Sequence, residues 1–174
     1  MPHSAIELLL LRHAKSSWAD EDMTDHERPL NARGITAAGR MGRLCKELDL
    51  VPDRILTSDA CRTRETVAGL TEASGFEGTV TQTRSLYLAS PQSILETVRE
   101  FGGEARRLLV VGHNPGMQTL MSKLASTPIH CPTATISRFQ IREPAVTAWA
   151  DWSGDAAIHL GTWRPRELPP SIMD

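Results

Sequence analysis

Two histidines a hundred positions apart, His13 and His113, each follow directly on a short apolar run. The first run is Ile6-Glu7-Leu8-Leu9-Leu10-Leu11, then Arg12-His13. The second is Leu108-Leu109-Val110-Val111-Gly112, then His113. A third segment, Arg54-Ile55-Leu56-Thr57, ends at Ser58 and soon reaches Arg62. Runs of four or more apolar residues read as strands buried on both faces, and open α/β sheets bind ligands where such strands end. The pattern therefore expects two imidazoles and two guanidiniums at one rim of one sheet. An imidazole is largely neutral near pH 7 and can act as a nucleophile without a separate base. A guanidinium keeps its charge and grips phosphate oxygens in pairs. Phosphoryl transfer needs an in-line nucleophile and cations around the equatorial oxygens, so this set of residue types suits phosphate chemistry.

The elements that must position these residues alternate along the N-terminal two-thirds of the chain. After strand Ile6–Leu11 comes a polar loop from Arg12 to Gly34. A helix is expected over Thr36–Leu48, with Ala38, Met41, Cys45 and Leu48 spaced three or four apart. Strand Arg54–Thr57 precedes a helix over Ala60–Ser74, with Asp59 as its expected N-cap and Gly75 ending it. A strand near Thr79–Thr83 follows. Ser90-Pro91 signals the start of a helix lined by Ile94, Leu95, Val98 and Phe101 and stopped at Gly102-Gly103. Strand Leu108–Gly112 leads through the turn Asn114-Pro115-Gly116 to a helix over Met117–Ala125. Beyond Pro128 the character changes. Ala134–Ile141, Thr147–Ala150 and Ala157–Trp163 read as short strands added antiparallel at the sheet edge. The expected fold is α/β, a three-layer sandwich with a mainly parallel central sheet and antiparallel edge additions. One domain is expected over residues 1–165, with 166–174 as a proline-rich tail that wraps the surface or frays.

Composition narrows the function. A length of 174 residues fits one domain with a sizeable core. The net charge of -2 implies no general attraction to nucleic acid or to an acidic membrane. No stretch reaches the roughly 18 apolar residues of a membrane helix, and the N-terminal run makes a poor signal peptide. Cys45, Cys61 and Cys131 form no CxxC and no even framework, as expected of reduced thiols in a cytoplasm. Cys61 is the thiol to watch, because it neighbours Arg62.

The motifs resemble those of the histidine phosphatase superfamily, which also contains the cofactor-dependent phosphoglycerate mutases. Arg12-His13-Ala14-Lys15-Ser16 is similar to its arginine-histidine signature. Residues Thr57 to Thr66 resemble its second arginine motif, and Val111-Gly112-His113-Asn114-Pro115-Gly116 its second histidine motif. Asp25-His26-Glu27-Arg28-Pro29-Leu30-Asn31-Ala32-Arg33-Gly34 resembles the loop of the compact branch typified by the phosphohistidine phosphatase SixA. The resemblance spans about residues 6 to 165. It implies a phosphoglycerate mutase-like fold and a phosphatase in which His13 attacks phosphorus and is transiently phosphorylated. It implies further that Arg12 and Arg62 hold the phosphoryl oxygens, that His113 steadies the transition state, and that water releases inorganic phosphate. No metal and no organic cofactor are implied.

The chain departs from the wider superfamily in three places. Ala14 replaces a frequent glycine, and Ala19 an asparagine of mutases and small-molecule phosphatases. Ser85-Leu86-Tyr87-Leu88-Ala89 lacks the acid that larger relatives carry nearby. An alkoxide leaving group needs a proton from a placed acid, whereas imidazole leaving from phosphohistidine needs little such help. The leading expectation is therefore a phosphohistidine in a protein as substrate, with Asp20, Glu21, Asp22 or Asp25 as the candidate proton sources. A small-molecule phosphomonoester phosphatase is the alternative, followed by a non-catalytic phosphate-binding module. Metal-dependent hydrolysis ranks low, because the histidines lack HxH or HxxxH spacing. Blander roles are expected elsewhere: Lys15 at the rim, Ser16 and Ser58 as loop or cap hydroxyls, Asn114 in a turn, Trp18 at the pocket mouth. Arg28, Pro29, Asn31 and Gly34 shape the loop, and His3, His26, His130 and His159 are ordinary polar residues.

Overall fold

A computed structural model describes residues 6–143 and 146–173, and His3 lies outside the described residues. Six strands form one sheet: β1 (Glu7–Arg12), β2 (Arg54–Ser58), β3 (Thr79–Thr83), β4 (Arg107–Gly112), β5 (Ile136–Ile141) and β6 (Ala157–Trp163). Their order is β3-β2-β4-β1-β5-β6. The first four pair in parallel, while β5 pairs antiparallel with β1 and β6 antiparallel with β5, as the buried apolar runs and the edge strands required. Helices α1 (Ala32–Glu47) and α2 (Cys61–Ser74) cover one face; α3 (Pro91–Phe101) and α4 (Gly116–Ala125) cover the other.

The two faces follow from the strand period of two. Leu9, Leu11, Ile55, Leu109 and Val111 pack with Met41, Leu44 and Leu70 of α1 and α2. Leu8, Leu10, Leu56, Leu108 and Val110 pack with Ile94, Val98, Leu120 and Met121 of α3 and α4. Leu8 to Leu11 are wholly buried, and each such side chain contributes about 1.5–3 kcal/mol relative to exposure. The tail docks on α1. Leu168 and Ile172 enter the first of these cores, and Arg40 and Arg43 donate to the carbonyls of Met173 and Ile172.

Three local expectations change. Helix α1 starts at Ala32 rather than Thr36, because the Asn31 side chain accepts from the Gly34 N–H and caps it. A Cβ on Gly34 would lie 2.1 Å from the Lys15 carbonyl oxygen, so only glycine lets this first turn press on the loop after β1. Helix α2 is not capped by Asp59. Its N-cap is Ala60, and the Asp59 carboxylate turns instead to His26 and Arg84. Thr147–Ala150 is not a strand. A 3₁₀ turn spans Trp149–Asp151, anchored where the Trp149 indole donates to the Ala105 carbonyl and its backbone N–H to Gly103. A flat edge strand would leave that large ring in solvent; here it is buried against α3.

Candidate active site

Strand register brings the two histidines together. Arg12 pairs with Gly112 at the ends of β1 and β4, and the His13 N–H donates to the Gly112 carbonyl. Thr57 of β2 lies beside Val111, so Ser58 ends in the same place. The ring centroids of His13 and His113 are 5.1 Å apart. Arg62, in the first turn of α2, reaches both. Its Nε–H donates to His13 Nε2 at 3.3 Å, and its Nη2 lies 3.2 Å from His113 Nδ1. Arg12 lies close enough for its charge to act on both imidazoles and on Arg62. Its Nη1 donates to the Cys131 carbonyl, while its Nε is buried without a hydrogen-bond partner. All four sequence-predicted site residues therefore meet at the C-terminal ends of three parallel strands.

The tautomers follow from the partners. His13 Nδ1 lies 2.7 Å from the Ala14 carbonyl oxygen, which can only accept, so Nδ1 carries the proton and Nε2 presents its lone pair. Arg62 can only donate, so His113 Nδ1 accepts and its Nε2–H donates to Ser58 Oγ at 2.9 Å. Burial pushes the His13 pKa down to about 3; the Ala14 bond opposes this, while the charges of Arg62, Arg12 and Arg28 add to it. Burial, the neighbouring His13 and Arg62 take His113 to about 3 as well. Two neutral rings thus line a pocket held positive by arginine.

These depressed pKa values have a consequence for stability. Both rings stay neutral in the folded chain down to about pH 3, whereas in the unfolded chain they protonate below about pH 6.5. The unfolded state then binds more protons, so stability falls as pH drops from about 6.5 toward 3. The slope approaches about 1.4 kcal/mol per pH unit for each imidazole. Denaturant titrations between pH 6.5 and 4.5 are expected to show this decline, and His113→Gln is expected to make it shallower by about one proton. An unchanged slope would refute neutral burial of this ring.

Side chains around the cradle complete it. Ala14 N–H donates to Thr66 Oγ1, tying the loop to α2. The loop closes through the Ser16–Leu30 bridge and the bond from the Ser17 N–H to the Pro29 carbonyl. Ala134, at a φ of 60°, donates its N–H to the carbonyls of Arg12 and His13 and braces the end of β1. Asn114 is structural, its amide donating to the Cys131 carbonyl and its Oδ1 accepting from the Gln118 N–H. Gly112 and Gly116 give close approach to the protein itself: added Cβ atoms would meet Met117 Cε at 2.8 Å and the Ala89 carbonyl oxygen at 1.9 Å. Trp18 is 70% exposed, with the Arg28 guanidinium over its ring. Cys61 is no activated thiol, because partial burial and Glu65 raise its pKa. Among the described residues no three His, Cys, Asp or Glu side chains cluster as metal ligands would, and no helix is long and apolar enough to cross a membrane.

Asp25 and Tyr87 join the site from outside the strand ends. Asp25 Oδ2 accepts from Tyr87 O–H at 2.6 Å and from Arg62 Nη2 at 3.1 Å, while its Oδ1 accepts from Arg28 at 2.8 Å. Its backbone carbonyl also accepts from Arg62 Nη1. Partial burial raises the Asp25 pKa, but the Tyr87 bond, the Arg62 charge and the Arg28 bond outweigh it and hold it near about 2. Tyr87 stacks edge-on against both His26 and His113. The available signal was that Tyr87 is the chain's one tyrosine and follows a parallel strand, in the segment noted only for lacking an acid.

Residues 8–86 match the model of the histidine phosphatase superfamily, branch 1. An uncharacterised protein of Mycobacterium tuberculosis is 37% identical over 116 residues, covering 67% of this chain and 70% of that protein. An uncharacterised protein of Mycobacterium leprae is 28% identical over 162 residues, covering 91% and 92%. Among solved structures, a candidate phosphohistidine phosphatase SixA from Nakamurella multipartitia aligns with a TM-score of 0.80 at 27% identity, covering 95% of this chain and 99% of that one. The protein histidine phosphatase SixA complexed with tungstate shares the fold, with a TM-score of 0.78 at 18% identity over 94% of this chain and 100% of that one. With that sheet order, those motifs and these relatives, the chain belongs to the histidine phosphatase superfamily, in its SixA-like branch, and is a phosphatase.

Proposed function

We propose that the protein removes phosphate through a covalent phosphohistidine on His13, and that its substrate is phosphohistidine in a protein. The observation that carries the mechanism is the Arg62 guanidinium bonded at once to the facing nitrogens of His13 and His113. A phosphoryl group seated on that arginine meets the His13 Nε2 lone pair. Nε2 attacks phosphorus, the bond to the leaving group breaks, and charge on the equatorial oxygens is balanced by Arg12 and Arg62, the latter oriented by His113 Nδ1. His13 keeps its proton on Nδ1 throughout, against the Ala14 carbonyl. The intermediate is therefore a phosphoimidazolium, and water attack expels a neutral ring without a further proton.

Two features support a protein substrate. The loop after β1 exposes Lys15 and Trp18, and the turn after β3 exposes Leu88, so a phosphorylated side chain on a protein surface can approach. The Nakamurella relative is described as a candidate phosphohistidine phosphatase. The test exposes the protein briefly to a labelled phosphohistidine protein, maps the trapped label, and compares turnover with sugar phosphates and p-nitrophenyl phosphate. Label on His13 and fastest turnover of the phosphohistidine protein are expected. Label elsewhere overturns the mechanism; faster turnover of sugar phosphates overturns the protein substrate alone.

A further inference from the structure

We propose that Asp25 is the proton shuttle when this site cleaves a phosphate monoester, protonating the leaving oxygen as His13 takes the phosphoryl group and then accepting the proton of the attacking water. The proposal builds on His13 as the nucleophile. Its basis is position. Among the described residues Asp25 is the carboxylate that forms an ion pair with Arg62, and no carboxylate forms one with Arg12. His13 Nε2 and Asp25 Oδ2 bond to Nε and Nη2 of that one guanidinium. The attacking nitrogen and the carboxylate thus share the guanidinium on which the phosphoryl group is proposed to sit.

The other acids of the first loop do not share this placement. Asp20, Glu21 and Asp22 are exposed, and Asp20 Oδ1 accepts from the Asp22 N–H within the loop. Asp59 is held by His26 and Arg84, and Glu65 accepts from the Leu30 N–H. The Asp25 side chain is 44% exposed, so it can exchange its proton with water between turnovers.

The charge balance closes without any further reactant. At rest Asp25 is ionised, held so by Tyr87, Arg62 and Arg28. A phosphate monoester has a second pKa near about 6 and can arrive as the monoanion. When the phosphoryl group takes Nη2 of Arg62, it displaces the carboxylate from its cation and sets a like charge beside it. Both changes favour the neutral carboxylic acid, and the proton carried by the ester passes to Asp25. As the N–P bond forms and the P–O bond breaks, that proton moves to the departing oxygen. Asp25, ionised again, takes a proton from the water that attacks the phosphoimidazolium. Tyr87 is a positioning residue: its hydroxyl, 2.6 Å from Oδ2, aims the carboxylate and stabilises its ionised form.

The test uses the full chain and a series of phosphate monoesters with leaving groups of rising pKa, from p-nitrophenyl to alkyl. For Asp25→Asn, the loss in kcat/KM is expected to be smallest with p-nitrophenyl phosphate, whose leaving group needs no proton. The loss is expected to grow to about 10²–10⁴-fold with alkyl esters. Label on His13 is expected to accumulate, because the base for water is missing. An equal loss across the series, or none, overturns the shuttle. Tyr87→Phe keeps the carboxylate and serves if Asp25→Asn does not fold. The alkaline limb of kcat for an alkyl ester is expected to move to higher pH, and an unmoved limb overturns the assignment. Absence of label on His13 in the unaltered protein sinks the nucleophile instead, whatever the leaving-group series shows.

Discussion

His13→Ala is expected to lower kcat by at least about 10⁴-fold and to abolish the trapped phosphoenzyme, because it removes the atom that forms the covalent bond. His113→Ala is expected to cost less, about 10²–10³-fold, because it removes a ring that orients the Arg62 guanidinium and leaves the nucleophile in place. The order of these losses separates the two rings, which are both buried, both neutral and bonded to the same arginine. The asymmetry lies in their other nitrogens. His13 gives its second nitrogen to a fixed backbone carbonyl, which leaves Nε2 pointing at Arg62 with its lone pair exposed. His113 gives its second nitrogen to the Ser58 hydroxyl. Truncation at position 13 also opens a space of imidazole size beside Arg62, so added imidazole is expected to restore part of the turnover. Circular dichroism and the denaturation midpoint at pH 7 check that the fold survives. Turnover of His13→Ala within tenfold of the unaltered protein would end the covalent mechanism.

How much of this was legible before the fold was known depends on what each residue answers to. His13, His113, Arg12 and Arg62 could be placed because each follows a segment whose apolar pattern marks a buried strand, and parallel strands end on one side of a sheet. The sheet's layers were readable for the same reason. Helix starts were less so. The Asn31 cap sits inside a polar stretch where no periodic apolar face announces a helix, and its placement depends on Gly34 meeting Lys15 in three dimensions. Asp59 has the right type and spacing for a cap, yet the hydrogen bond with His26, 33 positions away, takes it elsewhere. Trp149 looked like a strand residue by type, but its ring is spent filling space against α3. Asp25 and Tyr87 are the clearest case. They are 62 positions apart, neither lies on a strand, and only the closed loop and the turn after β3 bring them together. Local pattern reaches residues that ride on regular elements; contacts between two loops need the tertiary structure.

Arg62→Lys tests the feature on which the cradle depends, a planar cation that bonds several partners at once. Arg62 is 3% exposed and donates through Nε to His13, through Nη1 to the Asp25 carbonyl, and through Nη2 to the Asp25 carboxylate and His113. An ammonium carries the same charge on one atom and cannot span these positions, so lysine is not a conservative change here. Arg62→Lys is expected to lower kcat/KM by about 10²–10³-fold, and Arg62→Ala by about 10³–10⁵-fold, the range of arginines that stabilise phosphoryl transfer. The pH profile separates lost charge from lost shape. Arg62 lowers the pKa of both imidazoles, so its removal in Arg62→Ala is expected to move the acid limb of kcat/KM toward neutral pH, while burial still holds it below about 6.5. Arg62→Lys keeps the charge and is expected to leave that limb close to its original position despite the slower rate. If lysine restores activity to within threefold, charge alone suffices and the bridging geometry is incidental. If instead both variants lose rate and only alanine shifts the limb, the guanidinium acts as one rigid template that orients the nucleophile, the second imidazole and the phosphoryl oxygens together.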